Sequence, residues 1–158
     1  MIYHSKVLTA VVYTTTQRAS AVYLVLRCRM FKPVIYEDLL GKQFEYGARG
    51  PDKFDCWGLV MEMLKRDGVY PEDYGWHNEA SKIQSMMLAA EQKDWQQCPF
   101  QPRALVLFKI GRFVRHVGYI VSFTQFIHCW ENTNEVVVEN LSEDWTNRIV
   151  GVYQYAPK

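Results

Sequence analysis

Cysteine and histidine are the side chains of this chain best suited to nucleophilic chemistry. The four cysteines are Cys28, Cys56, Cys98 and Cys129. They form no CxxC pair and no compact cluster with histidine, so the sequence predicts neither a structural zinc site nor a disulfide framework. A free thiol in a domain of this size is usually a buried apolar residue, and a reactive one needs a local reason. Only Cys56 has such a reason.

Cys56 lies where a helical pattern begins. At helical spacing it is followed by the apolar residues Leu59, Val60, Met63 and Leu64. It therefore opens the buried stripe of an amphipathic helix, with Asp55 as a natural N-cap and Gly68 as a natural C-terminal stop. Unpaired N–H groups and the macrodipole favour negative charge at a helix start. The pattern predicts an activated thiol that points toward a sheet, with its own backbone N–H as an oxyanion donor.

Two histidines follow in extended runs. His116 opens HVGYIVS on the same strand face as Gly118 and Ile120, and Gly118 is expected to leave room beside the imidazole. His128 lies 128 − 116 = 12 residues further on, so a tight hairpin would place the two rings side by side. We expect His116 to be the general base and His128 to hold its tautomer. By alternation, Cys129 faces away from this site.

Each of these residues also has a structural explanation on its own. Cys56 fits a core thiol, His116 a strand-end residue, and His128 a satisfied interior histidine. It is the combination of nucleophile, base and orienting residue that indicates a catalytic site. His4 and His77 lie in segments with no matching context, and we interpret them as surface residues.

Helical patterns precede strand patterns along the chain. A short helix is predicted around Val34 to Lys42, and a second helical stretch follows the Cys56 helix at 79–92. Five β-branched and aromatic runs come after Pro102: ALVLFKI, HVGYIVS, QFIHCW, EVVVENL and IVGVYQY. This order predicts an α+β fold in which N-terminal helices pack on an antiparallel β-sheet meander.

The length of 158 residues suits one catalytic domain, which we place at 31–158. A formal charge of +1 gives no global field that would attract nucleic acid or an anionic membrane. Residues 1–30 contain two apolar runs, each too short to span a bilayer. Three interpretations of this extension stay open: an added β-hairpin, a weak secretory signal, or a stretch translated upstream of a true start at Met30.

Two segments carry a family resemblance. FEYGARGPDKFDCWGLV resembles the nucleophile segment of NlpC-type cell-wall cysteine peptidases, in particular the branch found in phage and prophage tails. RHVGYIV followed by QFIHCWE is similar to the His-Val-Gly strand and the second-histidine strand of that family. The resemblance covers roughly residues 31–155, and the order Cys, His, His matches.

The resemblance implies a papain-like NlpC-type fold with Cys56 as nucleophile, His116 as general base and acid, and His128 as the orienting third member. It implies hydrolysis of peptidoglycan stem peptides between D-glutamate and the diamino acid, with no metal or organic cofactor. Asp55 would bind a substrate amine. The implied partners are stem peptides and phage tail-tip proteins, with no nucleic acid and no membrane span. The protein would reside in the bacterial cytoplasm before joining a tail that acts at the wall.

Several residues depart from the family pattern. Trp57 replaces the small residue that usually follows the nucleophile, Phe44 stands where a loop tyrosine is usual, and Tyr46 where a tryptophan is common. We expect these three to line the substrate site and to weaken selection for a free N-terminal alanine. Arg103 and Ala104 replace a Gly-Asp pair, and SFTQ replaces a Gly-rich turn. Two alternatives therefore stay open: a non-catalytic tail-tip assembly module with the same fold, and a papain-like amidase or acyltransferase.

Overall fold

The computed structural model describes residues 33–75 and 94–156, and every element below lies in the compact unit Val34–Lys158. Some interpretations from the sequence lie outside the described residues. These are the interpretations of Cys28, His4, His77, the extension 1–30 and the helical stretch 79–92.

The segment before Cys56 holds little regular structure. A single 3-10 turn spans Glu37–Leu39, and two short parallel strands follow, β1 (Gln43–Phe44) and β2 (Lys53–Phe54). The predicted helix from Val34 to Lys42 is wrong beyond that turn. At Gly41 the backbone takes φ 77° and turns away, because this segment forms hydrogen bonds to a distant strand.

Helix α1 (Cys56–Arg66) has the predicted ends. The Asp55 side chain accepts a hydrogen bond from the Gly58 N–H at 2.6 Å, which is the N-cap interaction. At the other end Gly68 adopts φ 78°, and the Val69 N–H reaches the Leu64 carbonyl at 2.9 Å. Both signals are local in the sequence, and both are confirmed.

A six-stranded antiparallel sheet follows α1. Its strands are β3 (Trp95–Gln97), β4 (Leu105–Ile110), β5 (Phe113–Ile120), β6 (Gln125–Cys129), β7 (Val136–Asn140) and β8 (Ile149–Tyr155). The spatial order is β3-β8-β4-β5-β6-β7. Strands β4 to β7 thus form the predicted meander, β8 returns to pair with β4, and the sequence did not predict β3. The expected α+β class is confirmed.

The two faces of the sheet are covered differently. One face packs under α1, with Leu59, Val60 and Met63 against sheet residues such as Val117 and Ile127. The other face holds an aromatic cluster formed by Phe108, Phe126 and Trp145 with their apolar neighbours. A short helix, α2 (Glu143–Thr146), brings Trp145 into this cluster. The alternation of β5 and β6 therefore decides which residues face α1 and which face the aromatic cluster.

The chain just before β1 is joined to the start of β7. The Gly41 N–H donates to the Val136 carbonyl at 3.0 Å, and the Val136 N–H donates to the Lys42 carbonyl at 2.8 Å. The Phe44 N–H reaches the carbonyl of Asn134 at 3.0 Å. These bonds tie the loop before the nucleophile to the outermost strand of the sheet. Among the described residues, no helix is both long and apolar enough to cross a membrane.

Candidate active site

His116 and His128 are in direct contact. Nε2 of His116 lies 2.8 Å from Nδ1 of His128, with His116 on β5 and His128 on β6. The predicted side-by-side placement is therefore observed. The contact occupies Nε2 of the His116 ring, so Nδ1 is the nitrogen that does not face His128.

Both rings lie on the face of the sheet that carries the aromatic cluster. His116 is 1% exposed and stacks on Phe108 with ring centroids 5.8 Å apart, while His128 is 0% exposed. Trp130 and Trp145 contact the His116 ring as well. The ring of Phe126 takes the space over Gly118, where a Cβ would lie 2.8 Å from that ring. Gly118 thus makes room for Phe126 rather than for the imidazole.

Burial keeps both histidines neutral. Desolvation, the neighbouring charge of His128 and the charge of Arg115 lower the pKa of His116 well below its usual range. Desolvation also lowers the pKa of His128, although the Glu139 carboxylate acts in the opposite direction. A neutral His116 is the form that can accept a proton.

Cys56 lies at the first turn of α1 and is half-buried. It packs against the apolar cluster under α1, so its side chain points toward the sheet as predicted. The backbone N–H of Val117, the residue after His116, lies near enough to the sulfur to lower the pKa of the thiol. Cys56 therefore lies beside the strand that carries His116, where the β5–β6 ladder has ended, and packs with the cluster under α1, whereas the His116 ring lies with the aromatic cluster.

The thiol of Cys56 is protonated at rest. Burial raises its pKa to about 12, and the charge of Asp55 adds to the rise. The N–H groups of Val117 and Trp57 and the charge of Arg49 act in the opposite direction but do not compensate. The thiolate expected from the helix start is therefore not favoured in the resting protein, because desolvation outweighs the helix N-terminus. Attack by this sulfur requires a base that takes its proton.

Asp55 is buried, at 3% exposed, and both oxygens of its carboxylate accept hydrogen bonds. One oxygen caps α1 at Gly58, and the other accepts from the Gly47 N–H at 3.0 Å and from Arg49 Nη1 at 2.7 Å. A substrate amine would have to share this buried carboxylate with Arg49 and two backbone N–H groups in order to bind Asp55. The structure thus gives Asp55 an internal partner that the sequence analysis did not identify.

The loop before the nucleophile approaches α1 closely. A Cβ at Gly58 would lie 2.2 Å from the carbonyl oxygen of Ala48, so only glycine permits this approach. The same carbonyl accepts a hydrogen bond from the Asp55 N–H at 3.1 Å. Gly58 and Asp55 together fix the loop against the first turn that carries Cys56.

The three aromatic residues that were predicted to line the substrate site lie in two groups. Phe44 and Tyr46 meet edge to face at 4.8 Å, and the Tyr46 hydroxyl donates to Glu131, which is also paired with Arg115 at 3.0 Å. Trp57 instead packs against the rings of Tyr74 and Trp95. The aromatic loop and Trp57 are thus separate surfaces, anchored to different parts of the domain.

Glu139 and Trp145 are site residues that sequence reasoning missed. Nε2 of His128 lies 3.2 Å from Oε1 of Glu139, and the Trp145 indole N–H donates to the other carboxylate oxygen. Glu139 lies on β7, two positions beyond Val137, which pairs with His128. Alternation within EVVVEN would have placed Glu139 on the histidine face once this register was known.

The other described cysteines pack against different clusters, Cys129 under α1 and Cys98 against the aromatic cluster. Cys129 faces the apolar cluster under α1, as predicted, and its sulfur donates to the Phe54 carbonyl at 3.3 Å. Cys98 is half-buried, and desolvation raises its pKa. Within residues 33–75 and 94–156, no group of three or more His, Cys, Asp or Glu side chains is arranged to hold a metal ion.

Comparison with known proteins identifies relatives of this domain. The family model described as "NlpC/P60 family" matches residues 41–154. A probable endopeptidase p60 of Listeria grayi is 28% identical over 138 residues, which cover 87% of this chain and 24% of that protein. The chain thus spans about a quarter of the length of that relative, and 19% of the corresponding protein of Listeria seeligeri.

Solved structures share the fold. NlpC1 from Trichomonas vaginalis superposes with a TM-score of 0.54 at 22% identity, over 75% of this chain and 41% of that one. An NlpC/P60 family protein from Bacillus cereus gives a TM-score of 0.56 at 18% identity, over 80% of this chain and 42% of that one. The expected papain-like NlpC-type architecture is therefore confirmed.

Proposed function

The chain belongs to the NlpC/P60 family, and on that premise we propose that it is a cysteine peptidase that hydrolyses peptidoglycan stem peptides between D-glutamate and the diamino acid. The observation that carries the proposal is the contact of His116 Nε2 with His128 Nδ1, on the strand whose Val117 N–H meets the Cys56 sulfur. A helix-borne thiol, a neutral imidazole and a third residue that holds the imidazole are the parts that acyl transfer requires.

In the first half-reaction, Nδ1 of His116 takes the Cys56 proton as the sulfur attacks the D-glutamyl carbonyl carbon. The backbone N–H of Cys56 belongs to the first turn of α1, where the helix offers it no partner, and it would stabilise the oxyanion. The tetrahedral intermediate collapses, and the C–N bond breaks. His116 returns the proton to the departing amine of the diamino acid, which leaves a thioester on Cys56.

In the second half-reaction, His116 accepts a proton from water as the water oxygen attacks the thioester. Collapse of this intermediate breaks the C–S bond, and the sulfur recovers its proton from His116. The D-glutamyl acid leaves. His128 keeps the His116 ring oriented through both steps by means of the 2.8 Å contact.

The substrate would approach between the aromatic loop and the first turn of α1. Tyr46 is 53% exposed and is held by Glu131, so it offers a fixed ring at the surface. Trp57 directly follows Cys56 and would line the pocket on the side opposite the aromatic loop. Together with Phe44, these residues are proposed to contact the stem peptide.

We further propose that the protein acts as part of a phage-like tail, with local cleavage of the wall as its task. This proposal rests on the segment FEYGARGPDKFDCWGLV, which resembles the nucleophile segment of tail-associated members, where the residue after the nucleophile often departs from the common pattern as Trp57 does. Co-purification with tail-tip proteins from induced lysogens, compared with a strain that lacks this chain, tests it. Absence from purified tails would contradict it.

Digestion of peptidoglycan sacculi by purified protein tests the enzymatic proposal. Mass spectrometry of the released products should show new D-glutamyl carboxyl ends and free amino groups on the diamino acid. Cys56→Ser should abolish release, whereas Cys98→Ser, which changes a half-buried thiol elsewhere, should not.

Products with a different new terminus would show that the protein cleaves another bond than the one proposed here. Lack of release by folded wild-type protein, on sacculi and on muropeptides alike, would instead favour the tail-tip assembly module.

A further inference from the structure

Both ring nitrogens of His128 are occupied. Nδ1 lies 2.8 Å from Nε2 of His116, and Nε2 lies 3.2 Å from Oε1 of Glu139. His128 is 0% exposed, so water offers it no alternative partner. The protonation of this ring is therefore determined by what its two neighbours can donate and accept.

Glu139 is itself held from the other side. Its second carboxylate oxygen accepts from the indole N–H of Trp145, whose ring meets the His128 ring edge to face at 5.2 Å. Trp145 is positioned by α2, where Ser142 caps the helix through the Trp145 N–H. The indole nitrogen can only donate, so the atom opposite it must be an acceptor.

These contacts determine which nitrogen of each histidine ring carries the proton. A carboxylate offers acceptors only, so Nε2 of His128 must carry the proton that faces Glu139. In a neutral ring, Nδ1 of His128 is then a bare acceptor, and Nε2 of His116 must carry the proton between the rings. It follows that Nδ1 of His116 holds a free lone pair.

We propose that Glu139 is a positioning residue that fixes the tautomers of His128 and His116, so that the His116 nitrogen left for Cys56 is the unprotonated one. The tautomers are a property of the resting protein. The link from tautomer to rate rests on the peptidase function proposed above.

The opposite arrangement shows what Glu139 prevents. If His128 carried its proton on Nδ1, it would donate to Nε2 of His116, and the proton of neutral His116 would move to Nδ1. Cys56 would then face a donor, and no nitrogen could take the thiol proton. Both arrangements satisfy the contact between the two rings, so that contact alone cannot choose between them.

Glu139→Gln should reverse the tautomers with almost no change of shape. The Trp145 indole can only donate, so the amide oxygen must turn toward Trp145 and the amide NH₂ toward His128. Nε2 of His128 then becomes the acceptor. A wrong histidine tautomer in a comparable triad lowers kcat by about 10⁴, and we expect a loss of about 10²–10⁴ in kcat with little change in KM.

Trp145→Phe provides the matched second change. In Glu139→Gln combined with Trp145→Phe, the amide is free to rotate, and its oxygen can accept from Nε2 of His128. We expect the original tautomers to return and kcat to recover at least tenfold over Glu139→Gln alone, although the double variant loses packing in the aromatic cluster. Glu139→Asp keeps a carboxylate and should keep the original tautomers.

Nitrogen NMR of the protein with isotope-labelled histidine reads the tautomers directly, without any substrate. Wild type should show both rings protonated at Nε2, and Glu139→Gln should show both protonated at Nδ1. Unchanged tautomers in folded Glu139→Gln would overturn the proposal, as would reversed tautomers with an unchanged kcat. If wild-type protein shows the expected tautomers but cleaves no wall peptide, the proposed function fails while the assignment of Glu139 to the tautomers stands.

Discussion

Arg49 Nη1 lies 2.7 Å from Asp55 Oδ2. Arg49, in the loop before α1, thus neutralises the carboxylate of the residue that precedes Cys56. Arg49 also reaches Asp73 at 3.0 Å, which holds the guanidinium in place from its other side. The Asp55 side chain is only 4% exposed. A substrate ammonium that binds Asp55 would therefore have to share the carboxylate with a cation that is already in place.

This ion pair leads to a prediction about substrate choice. Wild type should cleave sugar-bearing muropeptides and free stem peptides with similar kcat/KM, because Asp55 is buried and its charge is already paired with Arg49. Arg49→Ala should shift the preference toward the free amine by roughly tenfold or more, since a hydrogen bond to a charged group contributes about 1.5–3 kcal/mol. Asp73→Asn, which leaves the Arg49–Asp55 contact in place, is the control. Strict dependence of wild type on a free amine would contradict this prediction.

The alkylation rate of Cys56 should depend on His116. Burial raises the pKa of the thiol to about 12, so the sulfur reacts at neutral pH only when its proton is removed. In His116→Gln we expect iodoacetamide to modify Cys56 at least tenfold more slowly, in line with the loss of a general base. Peptide mapping measures the rate, and Cys98 in the same sample is the internal control. An equal rate in both proteins would exclude His116 as the base.

Different replacements of His128 should lower the activity to different extents. His128→Asn retains an amide that can accept from His116, so part of the activity should survive. His128→Ala and His116→Ala should each lose more, and the loss for the base should be about 10²–10⁴-fold in kcat. Steady-state kinetics on a muropeptide compare the three variants. If His128→Asn and His128→Ala are equally and completely inactive, His128 does more than orient the base.

Acid should destabilise the fold through the buried histidines. Desolvation holds the pKa of His116 well below its ordinary value of about 6.5, so the unfolded chain takes up a proton before the folded protein does. The contribution to stability is complete above about pH 6.5 and is lost as the pH falls toward the folded pKa. Urea unfolding across this range should show a falling free energy of unfolding, with a shallower slope in His116→Gln. Cys98→Ser should keep the wild-type slope.

The domain boundary at 31 gives a prediction about truncation. A chain that starts at Met30 retains every element described here, because all of them lie within Val34–Lys158. It should unfold cooperatively, with a midpoint close to that of the full chain. Circular dichroism during thermal unfolding provides the measurement. A broad, non-cooperative transition would show that residues 1–29 belong to the core.

Local signals allowed the sequence to predict helix α1 and the histidine pair. Asp55 and Gly68 mark the ends of α1 within a few residues of the chain, and the spacing of His116 and His128 suits one hairpin. The partner of Asp55 was not predictable in this way. Arg49 reaches it only because the loop folds back onto α1, and that path depends on the fit of Gly58 against the backbone.

Properties that depend on the whole fold could not be predicted from the sequence. The helix start favoured a thiolate at Cys56, but the pKa follows the burial of the sulfur under the finished sheet. The position of Glu139 beside His128 could be predicted only with the β6–β7 register, because shifting the pairing by one residue would turn the Glu139 side chain to the other face. The segment from Val34 to Lys42 has a helical pattern, yet the Gly41 N–H and the Lys42 carbonyl at its end bond to Val136, a partner distant in sequence.

The pairing of residues 41–44 with the start of β7 also fixes when this site can form during synthesis. Gly41 and Lys42 leave the ribosome long before Val136, the residue with which they exchange hydrogen bonds. Until β7 has been made and has joined β6, the loop before Cys56 lacks its anchor, and His128 lacks Glu139. A nascent chain therefore contains Cys56 well before the contacts that anchor its loop and pair His128 with Glu139, and the proposed site is complete only when the β6–β7 hairpin closes.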